Sequence, residues 1–178
     1  MSKRASHTGS PLLKGTGTME IRTATMADLP AVTQLEAICF PAAEAASEES
    51  FARRLEHYPN HFWLLKDGDT LVSFVNGLAT NEPDLRDEMY DNAVLHREDG
   101  AWQMIFGVDT HPDYRRRGCA GRLLAHVIAE AKAQGRKGLV LTCKEALVPY
   151  YSKFGFISEG VSQSTHGDAT WFQMRLTF

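Results

Sequence analysis

Hydrophobic and polar positions change period several times along the chain, and each change marks an element. Met19, Ile21 and Thr23 alternate with polar neighbours in MEIRTA, the pattern of a half-buried strand. Leu29, Val32, Leu35 and Ile38 then follow helical spacing, with Pro30 in the first turn and Phe40-Pro41 as the stop. Phe51, Leu55 and Tyr58 share a face of a second helix that opens at Ser47 and ends before Pro59. HFWLLK (61–66) and TLVSFVNGLA (70–79), joined by Asp67-Gly68-Asp69, predict a hairpin. Residues 80–100 are charged and weakly periodic, which predicts a long loop with one short helix; loops of that length carry function or move. AWQMIFGVD (101–109) returns to strand. Leu123, Leu124, Val127, Ile128 and Ala131 define a strong helix over 118–134, with Gly135 where a C-terminal cap belongs. GLVLTC (138–143) has the continuous apolar run of a strand buried on both faces. A short helix (146–154) and two strands (155–159 and 169–178) close the chain. The order predicts an α/β fold, a mixed sheet of about seven strands with helices on both faces.

Composition narrows the class. Apolar residues make up 43% and charged residues 23% of 178 residues, the mix of an ordinary globular protein. A net charge of −3 and a pI near 6.2 give no basic excess, so nucleic acid is not an expected partner. No apolar run approaches the ~18 residues of a membrane helix. Cys39, Cys119 and Cys143 form neither a disulfide framework nor a metal spacing, so no metal is expected and a reducing compartment is. Residues 1–18 are polar and lack the apolar stretch of a secretory signal. They are expected to be a disordered tail or leader ahead of one domain over 19–178, in a cytoplasmic protein.

The chemistry-bearing stretch is Val108-Asp109-Thr110-His111-Pro112-Asp113-Tyr114-Arg115-Arg116-Arg117-Gly118-Cys119-Ala120-Gly121. A strand ends, the chain turns, three arginines follow, and small residues open a helix. The first amides of a helix have no partner inside it, and the macrodipole adds partial positive charge there. Small residues let a diphosphate approach the backbone, and the arginines add charge at the rim. The Gly-Lys-Ser/Thr of a P-loop is absent, and the glycine spacing does not fit a dinucleotide fingerprint.

Arg115-Arg116-Arg117-Gly118-Cys119-Ala120 resembles the Arg/Gln-x-x-Gly-x-Gly/Ala signature of the GCN5-related (GNAT) acetyltransferases. The element order over 19–178 is similar to that fold. Leu95-His96-Arg97 and the run from Cys143 through Tyr150-Tyr151 to Phe156 resemble the serotonin (arylalkylamine) N-acetyltransferase branch. The resemblance implies a mostly antiparallel sheet of about seven strands, splayed at the fourth, with four to five helices. It implies acetyl-CoA as cosubstrate. The backbone at Val108, Asp109 and Thr110 would run along the pantetheine arm. Amides from Arg116 through Gly118, Cys119 and Ala120 to Gly121 would hold the pyrophosphate, with Arg115 and Arg117 beside them. Tyr151 would protonate the departing thiolate. Where that branch carries two relay histidines on the fourth strand, this chain has Met104 and Phe106, neither of which accepts a proton.

A primary amine has a pKa near ~10 and must shed a proton to attack. His96, Glu145, Asp109 and His111 are the candidate acceptors, and His96 is taken as the catalytic one beside Tyr151. Positioning supplies most of the acceleration, with the Val108 amide on the carbonyl oxygen. The acceptor pocket is expected from 40–51, the 80–100 loop and the last strands, with Phe40, Phe51, Tyr90, Trp102, Trp171 and Phe172 as aromatic surface. Acidic residues there, such as Glu44 and Asp91, suit a cationic amine. The expected function is direct N-acetylation of a small primary amine, aromatic amines among the candidates, by a monomer or homodimer. Acetylation of a protein N-terminus or lysine, and a CoA-binding regulatory module without turnover, are the alternatives.

Overall fold

The computed structural model describes residues 18–178, and the expected leader lies outside the described residues except for Thr18. The strands are β1 (Glu20–Thr23), β2 (Phe62–Asp67), β3 (Thr70–Asn76), β4 (Ala79–Thr80), β5 (Trp102–Ile105), β6 (Gly107–Thr110), β7 (Gly138–Cys143), β8 (Ile157–Val161) and β9 (Phe172–Thr177). The helices are α1 (Leu29–Cys39), α2 (Glu48–His57), α3 (Glu88–Asp91), α4 (Cys119–Ala133) and α5 (Val148–Ser152). The expected seven strands are present; two of them are broken, one at Gly77-Leu78 and one at Phe106.

The breaks divide the strands into two sheets. One runs β1-β2-β3-β6 and is antiparallel throughout. The other runs β4-β5-β7-β9-β8, and only its β5–β7 pair is parallel. Asn76 faces Gly107, but three residues on Ala79 faces Gln103, so the 102–110 strand carries one extra residue at the break. Such a bulge bends its strand and re-aims the side chains beside it. Gly77 is required on the partner strand: a Cβ there would lie 1.8 Å from the Met104 carbonyl oxygen. After Ile105↔Leu141 the strand leaves β7 and follows β3, so a wedge opens between β6 and the end of β7.

Alternation along β2 gives the sheet two buried faces. Trp63 and Leu65 pack under α4 with Leu123, Leu124, Val127 and Ala131. Phe62 and Leu64 pack on the other face against Val32, Leu35, Phe51 and Leu55 of α1 and α2. Local signals set the helix ends. The Ser47 hydroxyl accepts the Ser50 amide at 3.1 Å, and Glu48 and Glu49 in the first turn with Arg54 and His57 in the last complement the α2 dipole. These helices fix the walls of the wedge.

Candidate active site

The turn before α4 is built to expose amides. Arg116 and Gly118 adopt positive φ (62° and 75°), which turns the backbone outward between them. Gly118 is the N-cap, and Arg122 donates the first helical hydrogen bond back to its carbonyl at 2.9 Å. The amides of Arg116, Arg117, Gly118, Cys119, Ala120 and Gly121 therefore have no intrahelical acceptor. Arg117 stacks over Tyr114 (5.4 Å), and Tyr114 donates to Asp67 at 3.0 Å, so the turn is anchored to β2. Gly121 packs on Phe154, which lies 3.2 Å from where a Cβ would stand. A diphosphate fits this arrangement: clustered donors, dipole and three guanidiniums in one turn.

The β6 edge facing the wedge is unpaired. His111 donates to the Val72 carbonyl at 2.8 Å, and antiparallel alternation puts Asp109 on that same edge and Val108 and Thr110 on the open one. This corrects one expectation. The Asp109 backbone is committed to β3, and its carbonyl also accepts the Ser73 hydroxyl at 2.5 Å, so of the three residues only Val108 and Thr110 offer main-chain groups to a ligand. Cys39 reaches across from α1 to the Thr110 carbonyl at 3.4 Å.

The wedge opens into a cavity of about 380 Å³ lined by α1, α2, β6, β7, α5 and the loop before β9. Tyr151, 7% exposed, lines it between the edges of Tyr150 and Phe156. Burial pushes its phenol up, with Tyr150, Cys143 and Asp109 adding, so it is a protonated donor at neutral pH. One wall is aromatic: Phe106 packs against Tyr90 (4.8 Å), Tyr90 stacks on His166 (5.2 Å, 11°), and Trp171 follows, donating to the His166 carbonyl at 2.7 Å. Burial raises the Tyr90 phenol to about 12. Glu44 pairs with Lys144 at 2.7 Å, while its second oxygen is buried without a partner. Arg54, 4% exposed, is held by the Asn76 side chain (2.8 Å) and the Tyr90 carbonyl (2.9 Å) between the rings of Phe51 and Phe106.

His96 is not brought to this cavity, which corrects its expected catalytic place. Its Nδ1 accepts the Ala79 amide at 3.1 Å and its Nε2 meets Glu98 at 2.8 Å. Burial lowers its basicity, with Glu98 acting against that. His61, fully buried, meets the same carboxylate at 2.9 Å and Gln103 at 2.7 Å, so both imidazoles tie the 80–100 segment to the sheet. The three donors lie within 4.8 Å of one another, but the Ala79 amide claims the His96 Nδ1 lone pair, leaving the proton on Nε2 where a metal would need a lone pair. His111 accepts the Asp113 amide at 3.1 Å and shapes the turn. Of the aromatic residues expected in the pocket, Phe40, Tyr90 and Trp171 line it; Phe51 is core, and Trp102 lies under Arg175. Glu36, Arg54, Thr142 and His166 line it without having been expected.

Glu36 and Asp109 lie behind the cavity mouth on facing elements. Asp109 is fully buried, and among the described residues neither carboxyl oxygen has a donor. Burial and then the neighbouring Glu36 push its carboxyl well above the ordinary range, with Arg54 opposing.

The sequence matches the family described as "Acetyltransferase (GNAT) family" over residues 29–156. The chain belongs to that family. Among curated relatives, serotonin N-acetyltransferase of Mesocricetus auratus is 30% identical over 106 residues, covering 59% of this chain and 50% of that protein. The chain thus spans about half the length of the curated relatives it matches. Among solved structures, the loading GNATL domain of CurA from Lyngbya majuscula superposes with a TM-score of 0.78 at 15% identity, covering 90% of this chain and 98% of that one. The GphF GNAT-like decarboxylase in complex with isobutyryl-CoA gives 0.74 at 21% identity, covering 89% and 98%. Both likenesses show the fold. The family match takes in the turn before α4 and the segment that carries Tyr151. Among the described residues no helix is long and apolar enough to cross a membrane.

Proposed function

We propose that this chain is an acetyl-CoA-dependent N-acetyltransferase that moves the acetyl group directly to a small primary amine with an aromatic portion. One observation carries the reading: unpaired amides from Arg116 to Gly121 stand at one end of an open strand edge whose other end, with Tyr151, lines a cavity. Acetyl-CoA supplies an activated thioester. The amides and Arg115, Arg116 and Arg117 hold its phosphates, and the open edge at Val108 and Thr110 takes the pantetheine arm. The Val108 amide faces the thioester oxygen as charge develops there. Tyr151 donates to the leaving sulfur. Phe106, Tyr90 and Trp171 offer rings for an aromatic group, and the free Glu44 oxygen offers an acceptor for an ammonium. Burial pushes the Cys143 thiol up to about 11, which speaks for direct transfer rather than an acyl-enzyme. Tyr90 and Asp91 from the 80–100 segment form part of the wall, which favours a compact amine over an extended peptide.

The test is calorimetric titration with acetyl-CoA. The wild type binds, and Gly118→Val, which forces a β-branched residue to φ 75°, weakens binding at least about tenfold while circular dichroism reports an intact fold. Unaltered affinity in that variant contradicts the phosphate site.

A further inference from the structure

We propose that Glu36 is the catalytic residue that takes the proton from the acceptor amine, with Asp109 as its positioning partner. The inference rests on the acetyltransferase reading and adds to it the group that activates the nucleophile. An amine that enters as an ammonium has to lose a proton inside the cavity. Met104 is fully buried in the core and Phe106 presents only carbon, so the fourth strand supplies no acceptor. His96 is engaged elsewhere.

The groups that line the cavity sort themselves by their partners. Glu44 pairs through one oxygen with Lys144, just after β7, and its free oxygen is the acceptor that docks the ammonium. His166 lies beyond Tyr90 on the loop before β9, with Nε2 donating to the Glu44 carbonyl at 2.8 Å. Tyr151, Tyr90 and Cys143 keep their protons at neutral pH. Glu36, 7% exposed on α1, lines the same cavity as Gly107 and Val108 of β6. Its Oε1 is fixed by the Ala46 amide at 3.2 Å.

Asp109 gives the arrangement its meaning. A carboxyl with no exposure and no donor on either oxygen carries a desolvation cost with no structural return. It sits on β6, the strand α1 packs against, with Glu36 as its neighbour on that helix. Burial, with Glu36 as neighbour, holds the Asp109 carboxyl well above its ordinary range, so Asp109 keeps its proton. Facing Asp109 are Glu36 and Cys39 from α1, Arg54 from α2 and Tyr151 from α5; Arg54 is the cation among them. With Asp109 protonated, Glu36 is the member of the two that lines the cavity and can take a proton there.

The step balances. One proton passes from the ammonium nitrogen to Glu36, and the freed lone pair forms the C–N bond at the thioester carbon. As the C–S bond breaks, Tyr151 gives its proton to the sulfur and recovers one from the new amide nitrogen. Glu36 releases its proton to solvent. The products are the N-acetyl amine, free thiol and one proton.

The experiment is the pH dependence of kcat at saturating acetyl-CoA and amine for wild type, Glu36→Gln, Asp109→Asn and His166→Gln, with thermal stability measured for each. Wild type shows an acid limb in kcat. Glu36→Gln lowers kcat at neutral pH about 100-fold or more and abolishes the limb, with KM changed less than about threefold. Asp109→Asn folds, melts at or above the wild-type temperature at neutral pH, and keeps a limb that is displaced. His166→Gln keeps the wild-type limb. An unchanged limb in Glu36→Gln, or loss of the limb in His166→Gln alone, overturns the proposal while leaving the acetyltransferase reading in place. If Glu36→Gln does not fold, the limb position in Asp109→Asn decides: an undisplaced limb overturns the proposal. Absence of thiol release by the wild type sinks both.

Discussion

Asp28, ahead of α1, and Asp109, on β6, are carboxyls buried to 8% and 0% exposure, yet their surroundings are opposite. Asp28 accepts both Nη atoms of Arg22 (2.8 and 2.7 Å) and the Thr25 amide (2.8 Å). The Arg22 hydrogen bonds, set against burial, hold its carboxyl below the ordinary range. Asp109 has no donor, and burial with Glu36 beside it raises its carboxyl. One acid is spent on joining β1 to the turn before α1. The other is held in a costly form next to the cavity, and strain of that kind collects where chemistry needs it. Full partnering marks a structural carboxylate; an orphan beside a cavity marks a working one.

The sharpest way to break this contrast is to remove both charges isosterically and measure acetyl transfer. Asp109→Asn is expected to lower kcat about tenfold or more, and Asp28→Asn to leave it within about twofold. Equal effects would erase the distinction. Stability sharpens it in the opposite sense. Asp28→Asn loses about 1–2 kcal/mol in urea denaturation at neutral pH, because the cap and the paired charge go together. A depressed folded pKa gives stability that is present above the unfolded value of 3.8 and is lost as pH falls through the folded one. The deficit of Asp28→Asn therefore closes on acidification below that value, which melting curves at stepped pH would record. Smallest is the gain from Asp109→Asn, about 1 kcal/mol. A raised folded pKa leaves stability intact below 3.8 and drains it as pH rises through the folded value, so the variant's advantage over wild type grows with pH. A loss at neutral pH would show that Asp109 has a structural partner after all.

The sequence carried one half of the site openly. The donors before α4 are main-chain groups of a single turn, so an anion site there was legible from residue order and size, and the family resemblance supplied the expected span from Arg116 to Gly121. The strands were legible for the same reason, since alternation is local. The bulge at Phe106 was legible only through the family resemblance, which implied a splay at the fourth strand. It arises from how 102–110 pairs with β3 on one side and β7 on the other, which local alternation does not report. The cavity was legible in part: Phe40, Glu44, Tyr90, Asp91 and Trp171 come from the segments expected to form it, while its α1 and β7 walls were not foreseen. Glu36 looked like one position of the first helix, and it meets Asp109 only because α1 packs on β6. His96 misled because its place depends on the 80–100 segment folding back to put Ala79 against its ring.

Thiol release from acetyl-CoA, followed over a panel of aromatic and aliphatic primary amines, tests the central claim most directly. Release is expected only when amine and acetyl-CoA are both present, and it falls about 100-fold in Tyr151→Phe while acetyl-CoA affinity holds. A protein that binds acetyl-CoA but releases no thiol with any amine, or a Tyr151→Phe variant as fast as wild type, would contradict the account.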